Sequence, residues 1–131
     1  MNDETRNVSY GMDDDNICYD RGLNACPDWQ GDAWYRMTEP AGLFIPEVSP
    51  GYQHCNTYDP GWMDDTHPTI IGSTKHAKIC FHSKINDNNC RHSTMIEVSK
   101  CGDEFYVYNL PAVKADTHYY FGRYCATTTL P

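Results

Sequence analysis

The sequence predicts a mainly β fold: a small disulfide-rich extracellular domain with β-hairpins and long irregular loops. Three observations carry that expectation. Seven cysteines, Cys18, Cys26, Cys55, Cys80, Cys90, Cys101 and Cys125, are spread along 131 residues and form no C-x-x-C pairs. Such a spread suits a disulfide framework in an oxidising compartment better than a structural zinc site. Residues 94–110 alternate with period two around a Gly/Asp turn, the pattern of a half-buried hairpin. No segment offers an amphipathic helix of three turns.

The elements follow in chain order. Residues 1–17 read as an acidic flexible arm, too polar to bury, and Asn7-Val8-Ser9 within it is a glycosylation sequon. Residues 33–37 and 43–45 are short strand candidates, the second stopped by Pro46. Residues 49–68 carry Ser-Pro-Gly, Asp-Pro-Gly and His-Pro, all loop signals. Residues 75–82 read as a short strand. In TMIEVSK, 94–100, Met95, Glu97 and Ser99 share one side and Ile96 and Val98 the other. Cys101-Gly102-Asp103-Glu104 turns the chain, and FYVYNL, 105–110, runs back to Pro111. Residues 118–125 are a last strand in the same sheet. The expected core includes Trp34, Tyr35, Ile96, Val98, Val107 and Leu110. The domain is expected to span 18–125, with 126–131 a tail or the start of a linker. Residues 1–16 hold no apolar stretch of signal-peptide type, so the expectation is either a leader replaced by Met1 or a piece of a longer chain, and the linker-like CATTTLP ending favours the piece.

Charge narrows the partners. The formal net charge is −8. Residues 1–65 hold 13 acids and three bases, while 66–131 hold five acids and seven bases. An acidic chain without a basic stripe is a poor match for phosphate backbones, so no nucleic acid is expected. No run of 18 apolar residues exists, so this segment is not expected to insert in a membrane.

Three chemistries compete for the reactive side chains. Cys80-Phe81-His82 and Cys90-Arg91-His92 are two C-x-H units that strands would present as Cys2His2, but both cysteines serve better as half-cystines. No G-x-S-x-G elbow exists, and nothing in the spacing of the six histidines favours a Ser/His/Asp set; no catalytic residue and no cofactor is expected. Asp13-Asp14-Asp15 and Asp64-Asp65 supply oxygen ligands without the spacing of an EF-hand loop. A solvated acidic surface is the expectation for both, and no metal is assigned.

An ordered set of motifs then points to a family. Trp34-Tyr35-Arg36 follows Cys26, and next come Ile45-Pro46-Glu47 and Cys55-Asn56-Thr57. Pro60, Trp62, Met63, Thr66, His67 and Pro68 form a P-x-W-x-x-x-T-H-P loop. Lys78-Ile79-Cys80, Cys90, Cys101-Gly102, Tyr106-Val107-Tyr108-Asn109-Leu110 and Tyr124-Cys125 complete the order. The set resembles the cysteine-rich, eight-to-ten-cysteine domain found in uromodulin and in the zymogen-granule membrane glycoprotein of pancreas. Three cysteines of that pattern are missing, at Val48, at Arg91 and near His118 or Tyr119. At most three bridges and one leftover thiol are therefore expected, and each lost bridge forgoes about 2–4 kcal/mol. Where relatives can read N-x-T before T-H-P, this chain has Asp64-Asp65-Thr66, so a glycan-decoy role does not transfer through this loop.

The resemblance implies a non-catalytic extracellular recognition or adhesion module, part of a larger secreted or cell-surface glycoprotein, with a protein or glycan partner. The alternative is a lectin-like or calcium-dependent binder using Trp62, Asp64, Asp65 and His67. An unpaired cysteine leaves a covalent dimer open.

Overall fold

The structure is a computed structural model that describes residues 1–13, 15–113 and 121–130. Its strands are β1 (Ala33–Tyr35), β2 (Asp59–Met63), β3 (Thr74–Ser83), β4 (Asn88–Gly102), β5 (Phe105–Leu110) and β6 (Gly122–Tyr124). They form one sheet in the order β1-β5-β4-β3-β2-β6. All neighbours are antiparallel except β2 and β6. Helical structure among the described residues is limited to two 3-10 turns, Glu4–Arg6 and Ile85–Asp87.

The predicted hairpin is β4 and β5, with Gly102 opposite Phe105 across a turn at Asp103 and Glu104. Its alternation sets the core. Ile96 and Val98 of β4 face inward with Tyr106, Tyr108 and Leu110 of β5 and Ala77, Ile79 and Phe81 of β3. Full burial of an aliphatic side chain such as Ile79, Val98 or Leu110 stabilises by about 1.5–3 kcal/mol. Two expected core residues are on the other face. Trp34 is 49% exposed, and Val107 is half-buried. The choice of Tyr106 and Tyr108 as the inward set forces both outward, because neighbouring side chains on a strand point to opposite faces.

The loop reading of 49–68 missed β2. Asp59-Pro60-Gly61 carries turn chemistry yet lies in a strand, because Gly61 lets two backbones close over Phe81. A Cβ on Gly61 would stand 2.8 Å from the Phe81 ring and 3.0 Å from the Arg123 carbonyl, and one on Gly122 would stand 2.7 Å from the same ring. A glycine inside a strand often marks such an approach. The strand read over 43–45 is only a bridge between Phe44 and Thr127. Of the strand read over 118–125, residues 122–124 are β6, and 118–120 lie outside the described residues.

The polar N-terminal segment, expected as an arm, is held to the domain through Arg6, while its other described side chains are exposed or half-buried. Asp3 caps the first 3-10 turn by accepting from the Thr5 amide. Arg6 is fully buried. It donates to both Asp20 oxygens at 2.6 and 2.7 Å, to Asp28 at 2.6 Å and to the Tyr124 carbonyl at 2.8 Å. A guanidinium can be buried when carboxylates occupy its whole fork. Burial alone would lower its pKa, and Asp20 and Asp28 outweigh that and raise it. Arg123, also buried, reaches Asp3 at 3.0 Å and the Cys55 carbonyl at 3.0 Å. Burial and neighbouring Arg6 push it down to about 10. The Val8 amide donates to the Ala126 carbonyl and the Ala126 amide to the Arg6 carbonyl. The first ten residues and positions 126–127 thus pack on the domain read as 18–125.

The bridges are Cys18–Cys26, Cys55–Cys125 and Cys80–Cys90, and Cys101 is free and exposed. This is the expected three and one. The Cys80–Cys90 pair removes both thiolates from the C-x-H units. Mass spectrometry of the unreduced chain is expected to recover these three linkages, with one thiol alkylated in native protein, at Cys101. A second native thiol that labels, or a peptide joining Cys101 to any of the other six, contradicts the assignment.

Candidate functional site

Trp62-Met63-Asp64-Asp65-Thr66-His67-Pro68 leaves the end of β2 and turns toward β3. The four residues read as a possible binding group do not converge. Trp62 is buried, and its indole N–H donates to the Asn89 carbonyl at 2.8 Å. Asp64 and Asp65 are exposed. Asp65 accepts from Lys75 Nζ at 3.0 Å and from the Thr66 amide at 2.7 Å, contacts that hold its carboxyl below the usual range. Among the described residues no group of three His, Cys, Asp or Glu is placed to hold a metal ion. Asp14, one of the acidic run at 13–15, lies outside those residues.

His67 is buried, 5% exposed, and is an internal link. Its Nδ1 lies 2.6 Å from Glu47 Oε2, which also accepts the His67 amide at 2.7 Å. Its Nε2 lies 2.7 Å from the Tyr108 hydroxyl, which accepts the Ile45 amide at 3.1 Å. One proton arrangement satisfies all four contacts. Nδ1–H donates to the Glu47 carboxylate, and Tyr108 O–H donates to Nε2 while its oxygen accepts from Ile45. That arrangement needs a neutral imidazole. Burial lowers the His67 pKa, and Glu47 opposes this only in part. Burial likewise raises Tyr108, keeping its hydroxyl a donor. Tyr106 packs against the imidazole with ring centroids 4.7 Å apart, and Phe44 lies at 6.1 Å. Trp62 and His67 therefore hold the loop from inside, leaving Asp64 and Asp65 on its surface.

The fold also builds a Ser–His–Asp row that spacing did not suggest. Ser49 Oγ bonds His82 Nδ1, and His82 Nε2 lies 2.6 Å from Asp87 Oδ1. Asp87 is reached through a local turn at Asn86, φ 58°, and its side chain is 74% exposed. The nearby Gly51 N–H donates to Ser49 Oγ itself at 3.1 Å, so it is not aimed at a substrate oxygen, as an oxyanion donor must be. The row ties the 47–52 segment to the end of β3. Asn7 of the sequon is half-buried. Its Nδ2, the atom a glycan would occupy, donates to the Ala41 carbonyl at 2.8 Å.

Residues 35–126 match the model of the uromodulin-like domain. The chain belongs to the uromodulin-like domain family. Mouse uromodulin is 37% identical over 79 residues, 60% of this chain. Rat uromodulin is 35% identical over 92 residues, 70% of the chain. The pancreatic secretory granule membrane major glycoprotein of dog is 33% identical over 89 residues, 68% of the chain. The matches span only 12%, 14% and 17% of those relatives' own lengths. In this uromodulin-like domain, the motifs I-P-E, T-H-P and Y-V-Y-N-L meet in one place, through Glu47, His67 and Tyr108. Val48 and Arg91, two positions where the family pattern has cysteines, are both exposed.

Asp59 is a separate case. It is 8% exposed with no ion pair among the described residues, and one oxygen accepts the Phe121 amide at 3.1 Å. Burial pushes its pKa up to about 6, with the Phe121 amide, Arg91 and His82 pulling the other way.

Both buried groups can be tested by substitution. Replacing His67 with Ala strands the Glu47 carboxylate and the Tyr108 hydroxyl, and is expected to cost about 2–4 kcal/mol in urea unfolding; an unchanged midpoint removes the anchoring role. Asp59 has a folded pKa above its unfolded value of 3.8. Its contribution is therefore full below about pH 4 and lost as pH rises through about 6. Asp59→Asn is expected to be more stable than wild type at pH 7 by about 1–2 kcal/mol, after allowance for solvent screening. The gap should close between pH 6 and 4, and a gap independent of pH counts against a raised pKa.

Proposed function

We propose that this uromodulin-like domain is a non-catalytic recognition or adhesion module of a larger secreted or cell-surface glycoprotein, and that it presents the 64–72 loop to a protein partner. The carrying observation is the exposure of Ile70 and Ile71, 71% and 57%, at the tip of a braced loop. Adjacent exposed isoleucines are costly in water and are informative where they sit on a fixed frame. The frame is strong. His67 anchors the incoming side. Gly72 N–H donates to the Lys100 carbonyl at 2.8 Å, and Lys100 N–H to the Ser73 carbonyl at 3.0 Å. Ser73 donates back to the Ile70 carbonyl through its amide and its hydroxyl. A loop ordered before binding loses little entropy on docking. Asp64 is exposed, Asp65 is paired with Lys75, and Lys100 Nζ reaches the Thr69 carbonyl at 3.4 Å, so the flank offers both signs for a partner's polar rim to answer.

Three bridges support an oxidising, extracellular setting. Among the described residues no helix is long and apolar enough to cross a membrane. The free, exposed Cys101 leaves a covalent dimer open.

Fluorescent tetramers of the chain, titrated on intact cells with and without surface proteolysis, test the reading. Ile70→Ser/Ile71→Ser is expected to keep the melting temperature and to weaken protease-sensitive binding by about tenfold or more. Equal binding by variant and wild type, or binding lost to glycosidase and not to protease, overturns the assignment of the loop to a protein.

A further inference from the structure

A second surface stands apart from that loop and carries an inference of its own. A cavity of about 560 Å³ opens between the start of β2, the β3–β4 turn and Phe121. Its size suits one or two sugar rings. Tyr58 and Phe121 line it, with ring centroids 6.1 Å apart and planes at 64°. Their faces offer apolar area of the kind a pyranose C–H face covers. Lys84 and Arg91 also line it. Both are exposed, and neither makes an ion pair among the described residues. Both cations therefore have charge available to an anion that enters the cavity, with Asp59 the acid that Arg91 acts on there. Asp59 lines the same cavity, nearly buried, with its second oxygen free of any hydrogen bond among the described residues.

The walls are held in place. The Asp59 amide donates to the Phe121 carbonyl at 3.0 Å, the Phe121 amide returns to Asp59 Oδ2, and Thr57 Oγ1 donates to the same Phe121 carbonyl at 3.0 Å. Opposite, the Cys80–Cys90 bridge and the His82–Asp87 contact brace the turn that carries Lys84.

We propose that this cavity binds a sugar acid, a pyranose ring bearing a carboxylate. One face of the ring stacks on Tyr58 with its edge toward Phe121, the carboxylate faces Arg91 and Lys84, and a ring hydroxyl bonds the free oxygen of Asp59. Arg91 suits a carboxylate because its planar fork matches both oxygens. An aromatic wall beside polar groups that fix orientation is the common build of a small-molecule site. A neutral sugar would leave both cations unanswered. A bare inorganic anion would leave the aromatic wall in water.

Calorimetric titration of the whole chain with glucuronate, methyl glucoside, benzoate and inorganic phosphate decides the matter. Glucuronate is expected to saturate with a dissociation constant of about 0.1–5 mM, and methyl glucoside to bind about tenfold more weakly or not at all. Arg91→Gln/Lys84→Gln, with three intact bridges and an unchanged melting temperature, is expected to weaken glucuronate about tenfold or more. Tyr58→Ala is expected to weaken it as well. The proposal fails if glucuronate does not saturate by about 50 mM, or if the double variant binds as wild type does. It fails too if benzoate or phosphate binds as tightly, since the site would then be an amphipathic or plain anion site. The wild-type comparison of glucuronate with methyl glucoside decides even if a variant misfolds. Ile70→Ser/Ile71→Ser is expected to leave glucuronate binding unchanged, so failure of the loop reading and failure of this one are separable.

Discussion

Glu47, His67 and Tyr108 form one buried hydrogen-bonded chain, and the placement of three separate segments depends on it. Glu47 and Ile45 belong to an irregular stretch, His67 to the loop after β2, and Tyr108 to β5. Each has polar atoms that would be costly to bury alone, by about 1–3 kcal/mol per unsatisfied group. Together they satisfy one another. A neutral imidazole is suited to this place because it offers a donor on one side and an acceptor on the other. Lysine has no acceptor, and a carboxylate no donor. The loop beyond His67 inherits its position from this chain, and that position leaves Ile70 and Ile71 in solvent.

The N-terminal segment shows the same logic with full charges. Arg6 and Arg123 are both buried, and Asp3, Asp20 and Asp28 surround them. Asp28 is held down to about 2, since its contacts with Arg6 outweigh the burial that would raise it. Burying charges gives little net stability by itself, but removing one partner leaves another uncompensated. The network therefore fixes where the first residues lie more than it adds to the total. It joins residues 3–6 to the Cys18–Cys26 loop and to β6, at opposite ends of the chain.

Much of the fold is legible in the sequence, and the reasons are local. The β4–β5 hairpin was readable because alternation and a two-residue turn are properties of adjacent residues. The one leftover thiol was readable from an odd cysteine count. Trp34 was misplaced because hydrophobicity does not say which face of a three-residue strand is inward; the register of Trp34 opposite Asn109 decides that. Strand β2 was missed because Asp-Pro-Gly is turn chemistry unless a parallel neighbour requires a glycine. The anchoring of the polar arm is not legible because composition does not show that Asp20 and Asp28 meet Arg6. The candidate site was legible in its motif but not in its roles. His67 and the two aspartates lie within four residues, yet only burial separates an anchor from a presented surface.

The sequence by itself determined the class of the molecule: a cysteine-stapled β domain with a hairpin at 94–110 and a T-H-P loop of fixed type. Those features rest on periodicity, residue counts and motif order, which are complete in one dimension. The tertiary structure alone decided the cysteine partners, the burial of Arg6, the inward turn of His67, and the cavity where Tyr58, Asp59, Lys84, Arg91 and Phe121 meet. Apart from the short Cys18–Cys26 and Cys80–Cys90 loops, these are meetings of residues far apart along the chain. Only packing fixes which distant groups must satisfy each other's charges and hydrogen bonds once water is gone.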